Sequence, residues 1–133
     1  IDLAAEKQRL DPAEIEHMFR LKTGRLLRAS VLLAAHCAPA VSTTTLHHLE
    51  VYADALGIAY QICDDIQDFT DPGQGAGSDA TKAKATYPGL FGLDRARARS
   101  GQLLATATGA IASLGDAADG LRWMARHTML RGG

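Results

Sequence analysis

Asp64 and Asp65 are adjacent, and Asp68 follows one helical turn later. With Leu46 at zero on a wheel of about 100° per residue, Asp64 falls at ~0°, Asp68 at ~40°, Gln61 at ~60° and Asp65 at ~100°. Glu50, Asp54 and Gly57 share that arc, while Val51, Leu56, Ile58, Ile62, Cys63, Ile66 and Phe69 take the other sides. An amphipathic helix with a solvated acidic face would produce such a stripe, but solvated faces usually mix signs. Here no Lys or Arg occurs from Ala29 to Thr81. The three aspartates also sit near the helix C-terminus, where the dipole disfavours anions. Asp64 and Asp68 form a like-charge i,i+4 pair, and Asp is a weak helix former. A bound cation would offset all three penalties. The donors are oxygen only, which points to a hard divalent ion. No EF-hand spacing is present, so Mg²⁺, held by one or two carboxylates together with phosphate oxygens, is expected, with Mn²⁺ able to replace it.

A second candidate lies upstream. With Ile15 at zero, Met18, Phe19, Leu26, Ala29 and Leu33 fall within ~60°, and Lys22 falls at ~340°, near the centre of that apolar line. An unpaired buried ammonium is costly. Lys22 therefore either snorkels or pairs structurally, or it points into a cavity and meets an anion. Thr23 adds a hydroxyl, Gly24 allows close approach, and a lysine suits phosphate as a point charge. A third candidate is the run DPGQGAGSDATKAKAT from Asp71 to Thr86. Glycine-rich backbone can cradle phosphate, although a connector has the same composition. Lys82 and Lys84 return positive charge directly after the acidic stretch, as a lid over the carboxylates would require.

Helices must position these groups. No strand alternation stands out, and Ala and Leu dominate, so the chain is expected to be all-α. Asp11-Pro12-Ala13-Glu14 has the pattern of a capping box with proline in the first turn, opening a helix to about His36 before Pro39. Ser42–Thr45 offers hydroxyl caps for a second helix to about Phe69. Helix resumes after Tyr87-Pro88 and continues towards Leu114, with room for a break. Gly115-Asp116 separates it from a last helix over Ala117–Leu130.

The 133 residues suit one domain or part of one. With 47% apolar and 22% charged residues the chain is globular, and a net charge of −1 favours neither nucleic acid nor an anionic membrane. The longest apolar stretch, near Ala29–Ala35, is far short of a membrane span. No basic-then-apolar N-terminal signal is present, which favours a cytoplasmic protein. Cys37 and Cys63 lack metal spacing and are expected to be buried, reduced thiols. The first residue is Ile, and Ile1–Gln8 has the character of the tail of an earlier helix or loop, so a missing N-terminal part is expected.

Taken in order, these segments resemble the short-chain trans-isoprenyl diphosphate synthases, the polyprenyl synthetase family. HMFRLKTGRLLRAS at His17–Ser30 resembles the family's Lys-Thr motif. GIAYQICDDIQDF at Gly57–Phe69 is similar to its second aspartate-rich motif, with Tyr60-Gln61 where Phe-Gln is usual. DATKAKATYPGLFGLDRAR at Asp79–Arg97 resembles the stretch after the lid loop in bacterial farnesyl diphosphate synthases. The resemblance implies an isoprenoid synthase-type helical bundle, with residues 1–133 as the C-terminal part of a single polyprenyl synthetase domain. It implies Mg²⁺ on Asp64 and Asp68, with Asp65 in or next to the metal's ligands. It also implies Lys22 on the allylic diphosphate, Lys84 nearby from the loop side, and Thr23 and Gln61 beside the ionising carbon. The implied reaction condenses isopentenyl diphosphate with an allylic diphosphate, in a homodimer, with farnesyl diphosphate the preferred product and geranylgeranyl diphosphate next.

The sequence departs from the family pattern in three ways. Gln74 stands where a lid lysine is usual, a contact Lys82 could replace. Ala83 stands where glycine is usual. The first aspartate-rich motif is absent. A truncated or regulatory partner of a complete synthase is the alternative expectation, and the chain alone is expected to be inactive.

Overall fold

Asp11 opens the first helix in the way its neighbours predict: its carboxylate accepts the Glu14 N–H at 2.9 Å, and the Glu14 carboxylate accepts the Asp11 N–H at 2.9 Å. Such a cap contributes about 1 kcal/mol. The structure, a computed structural model, describes residues 11–71 and 86–132. Helix α1 spans Pro12–Phe19 and passes through a π-helical turn, Arg20–Gly24, into α2, Arg25–His36. Helix α3, Thr43–Thr70, has 28 residues and starts where the Ser42 hydroxyl accepts the Thr45 N–H at 3.0 Å. Helix α4 is the short Tyr87–Phe91, capped by the Thr86 hydroxyl on the Gly89 N–H. Gly92, at φ +95°, takes a conformation that L side chains rarely adopt and breaks the chain before α5, Leu93–Ala110. A 3₁₀ stretch, Ala112–Ala118, leads to α6, Asp119–Gly132. Among the described residues there is no strand, as expected.

Helix α3 is the axis, with α2, α5 and α6 packed on it. Tyr52, Ile58, Ile62, Cys63 and Ile66 of α3 are fully buried with Tyr87, Leu104 and Ile111. The Tyr52 hydroxyl donates to the Leu121 carbonyl at 2.8 Å, tying α3 to α6. Arg99 of α5 donates to the buried Glu16 of α1 at 2.6 Å. No helix among the described residues is long and apolar enough to cross a membrane.

Two expectations fail, for identifiable reasons. The apolar line drawn through Lys22 is not the buried one. Met18, Leu26 and Leu33 are 49%, 74% and 69% exposed, and Lys22 is exposed beside them. The buried or half-buried side is Ile15, Phe19, Gly24, Leu27, Val31 and Ala35. For Leu26 and Leu33 the π turn is the cause: the Arg25 N–H bonds to the Arg20 carbonyl, five residues back, and the extra residue rotates everything beyond it away from a 3.6-residue wheel. Cys37 lies just past the end of α2 and is exposed, whereas Cys63 is buried as expected.

Candidate functional site

The π turn faces α3 at its closest approach. A Cβ built on Gly57 would stand 3.0 Å from the Gly24 Cα, so the two glycines let α3 touch the turn backbone to backbone. That crossing joins two residues expected to work together: the Thr23 hydroxyl donates to Gln61 Oε1 at 3.2 Å. Gln61 Nε2 in turn donates to Asp65 Oδ1 at 3.4 Å, one helical turn on. The other Asp65 oxygen accepts the Tyr87 backbone N–H at 2.9 Å. A polar chain thus runs from the π turn through Gln61 and Asp65 to the start of α4.

The three carboxylates have different surroundings. Burial raises the pKa of Asp65 above the ordinary aspartate value, the bonds from Tyr87 and Gln61 oppose that, and the Asp64 and Asp68 charges add to it. Asp64 is half-exposed, with Arg131 Nη2 3.4 Å from its Oδ1. Asp68 is exposed and makes no hydrogen bond or ion pair among the described residues. No group of three His, Cys, Asp or Glu among those residues is placed to hold a metal. Asp65 turns towards Tyr87 and Gln61, which leaves Asp64 and Asp68, one turn apart, as oxygen donors open to solvent. One or two carboxylates completed by phosphate oxygens is the usual mode for Mg²⁺, so the donor set fits that ion.

The one-signed stripe is also partly neutralised. Arg20 donates to Asp54 at 2.6 Å and Arg28 to Glu50 at 2.9 Å, both reaching across from the preceding helical segments. Sequence order hides such partners, because they lie more than twenty residues away. Lys22 makes no hydrogen bond or ion pair among the described residues. Lys82 and Lys84 lie outside the described residues.

Beside the polar chain is a largely apolar cavity of about 360 Å³ between α2, α3 and α6. Thr23, Leu27, Leu56, Tyr60, Met124 and Arg131 are among its walls. Tyr87 and Arg131 are contributors the sequence did not reveal. The Tyr87 contact uses its backbone, and Arg131 is distant in sequence and carries no spacing signal.

Known proteins give this arrangement its class. A crystal structure provisionally assigned as a farnesyl-diphosphate synthase, from Marinomonas sp. MED121, matches with a TM-score of 0.75 and 34% identity over 96% of this chain and 43% of that one. The fold is the all-α isoprenoid synthase type. A model of the polyprenyl synthetase family matches residues 1–118, and the chain belongs to that family. The farnesyl diphosphate synthase of Escherichia coli strain K12 is 37% identical over 108 residues, 78% of this chain and 36% of the relative. That of Haemophilus influenzae is 36% identical over 112 residues, 80% of this chain and 38% of the relative. The chain thus spans well under half the length of these relatives.

Proposed function

We propose that this chain is the diphosphate-holding part of a cytoplasmic prenyltransferase that condenses isopentenyl diphosphate with an allylic diphosphate, with farnesyl diphosphate as product. One observation carries the reading. Thr23 belongs both to the wall of an apolar cavity of about 360 Å³ and to the hydrogen-bonded chain that leads to the carboxylate face. An allylic diphosphate needs that pairing: apolar room for its hydrocarbon and a carboxylate face for a metal-bound headgroup. The names of the bacterial relatives support the product.

Asp64 and Asp68 would hold Mg²⁺, or Mn²⁺ in its place, and Asp65 would fix the frame around them. Lys22, Lys82 and Lys84 would meet the diphosphate as point charges. The metal, when bound, neutralises charge on the departing diphosphate. Thr23 and Gln61 brace each other, and Gln61 is held again by Asp65. Their oxygens are thereby oriented in advance for positive charge developing beside them. Leu27, Leu56 and Met124 give the space next to that charge an apolar lining.

Turnover belongs to a protein that supplies the rest of the fold, as a homodimer. The test is labelled isopentenyl diphosphate with geranyl diphosphate, offered to the chain alone and to the chain co-expressed with the N-terminal part of a bacterial relative. Farnesyl diphosphate is expected only from the second and is lost with Asp64→Ala; absence from both contradicts the reading. Gln74, standing where the family usually carries a lid lysine, favours a second reading, a non-catalytic partner. Activation of an intact synthase by the chain alone would establish it.

A further inference from the structure

The last turn of α6 meets the carboxylate helix beside Asp64. Gly132 is buried there, and a Cβ built on it would stand 2.6 Å from Cys63 Sγ and 2.9 Å from Cys63 Cβ. Only glycine lets α6 come this close, and the contact falls one residue before Asp64. Arg131, the preceding residue on α6, holds its guanidinium 5.0 Å from the centroid of the Tyr60 ring and donates to the Tyr60 hydroxyl at 2.9 Å. Its Nη2 reaches Asp64 Oδ1 and Gln67 Oε1, each at 3.4 Å. An isolated exposed ion pair is weak. Here the aromatic face fixes the guanidinium plane, and its fork serves three acceptors at once.

The geometry points to Arg131 as a built-in counter-ion that occupies Asp64 until a divalent cation takes it, so that the end of α6 is a latch released by cation binding. This inference rests on the reading of Asp64 as a cation ligand. A guanidinium and a divalent ion on one carboxylate repel each other, and the repulsion grows where protein displaces water. Each weakens the other by the same factor. Asp68, which makes no hydrogen bond or ion pair among the described residues, gives an arriving cation its first contact. Arg131 also lines the apolar cavity, so its release changes the wall of the space next to the carboxylates.

Mn²⁺ alone, titrated into the full chain and followed by water-proton relaxation, tests the latch with four proteins: the parent, Arg131→Gln, Arg126→Gln and Asp64→Asn. Arg131 and Arg126 are both exposed, so neither change threatens the fold, and matched circular dichroism checks this. Arg126 lies on the same helix and hydrogen-bonds to no carboxylate among the described residues, so it controls for charge alone. Arg131→Gln is expected to bind Mn²⁺ about threefold tighter or more, Arg126→Gln to stay within about 1.5-fold of the parent, and Asp64→Asn to bind markedly more weakly. Mn²⁺ is also expected to speed amide exchange in the last turn of α6 of the parent. If Arg131→Gln gains nothing, or no more than Arg126→Gln, while Asp64→Asn is still impaired, the latch is wrong and the cation site stands. If Asp64→Asn matches the parent, the cation site itself is wrong.

Discussion

The Asp65 side chain accepts the Tyr87 backbone N–H at 2.9 Å, joining residues 22 apart in sequence. The chain leaves α3 at Asp71 and is fastened back to it at the start of α4. Asp65 therefore shapes the site without facing outward as Asp64 and Asp68 do.

Replacing Asp65 separates shape from charge. Asp65→Ala leaves the Tyr87 N–H without its acceptor and is expected to cost about 1–3 kcal/mol in urea unfolding. Asp65→Asn keeps one acceptor oxygen and should lose less than half as much, with the Tyr87 amide still slow to exchange. Equal losses in the two variants would mean that this hydrogen bond contributes little.

The Gly24–Gly57 contact gives a second expectation. Gly57→Ala sets a methyl 3.0 Å from the Gly24 Cα, a backbone atom that cannot swing aside. The gain in helix propensity, about 1 kcal/mol, should be outweighed by overpacking of about 1–3 kcal/mol. Gly101 lies in α5 with nothing within 4 Å of a built Cβ, so Gly101→Ala should stabilise by up to about 1 kcal/mol. Thermal unfolding of the pair checks both signs.

Tyr52 predicts an alkaline weakness. Its hydroxyl is buried, and burial pushes its pKa up to about 12, above the usual tyrosine value of about 10. Between those values the unfolded chain has lost the proton and the folded chain keeps it, so stability falls as pH rises through that window. Below about pH 10 both states are neutral and the effect vanishes. Tyr52→Phe removes the 2.8 Å bond to the Leu121 carbonyl and should cost about 1 kcal/mol at neutral pH. Its disadvantage should shrink between pH 10 and 12, and parallel stability curves would contradict the assignment.

Much of this was legible in local chemistry. The Asp11–Glu14 box and the Ser42 cap depend on neighbours a few residues apart, and each helix begins where they predict; the helix expected after Tyr87-Pro88 starts two residues earlier, at Tyr87 itself. Motif resemblance singled out Thr23 and Gln61, and the structure joins them by a hydrogen bond. What the sequence hid is what lies between helices. The π turn at Arg20–Gly24 has no composition signal, and it moved Leu26 and Leu33 off the buried side. The arginines that answer Asp54, Glu50 and Asp64 come from other helices, so a window along the chain saw uncompensated acid. The different surroundings of Asp64, Asp65 and Asp68 depend in part on Tyr87, whose contribution is a backbone N–H that any residue but proline would carry.

In the proposed function, Asp64 and Asp68 hold a metal-complexed allylic diphosphate beside the Thr23 cavity. Calorimetric titration of geranyl diphosphate into the full chain, with and without Mg²⁺, tests it most directly. Binding should require Mg²⁺ and weaken about tenfold or more in Asp64→Asn and in Asp68→Asn, as expected when a charged ligand contact is lost. Binding that is independent of Mg²⁺, or unchanged in both variants, would contradict it.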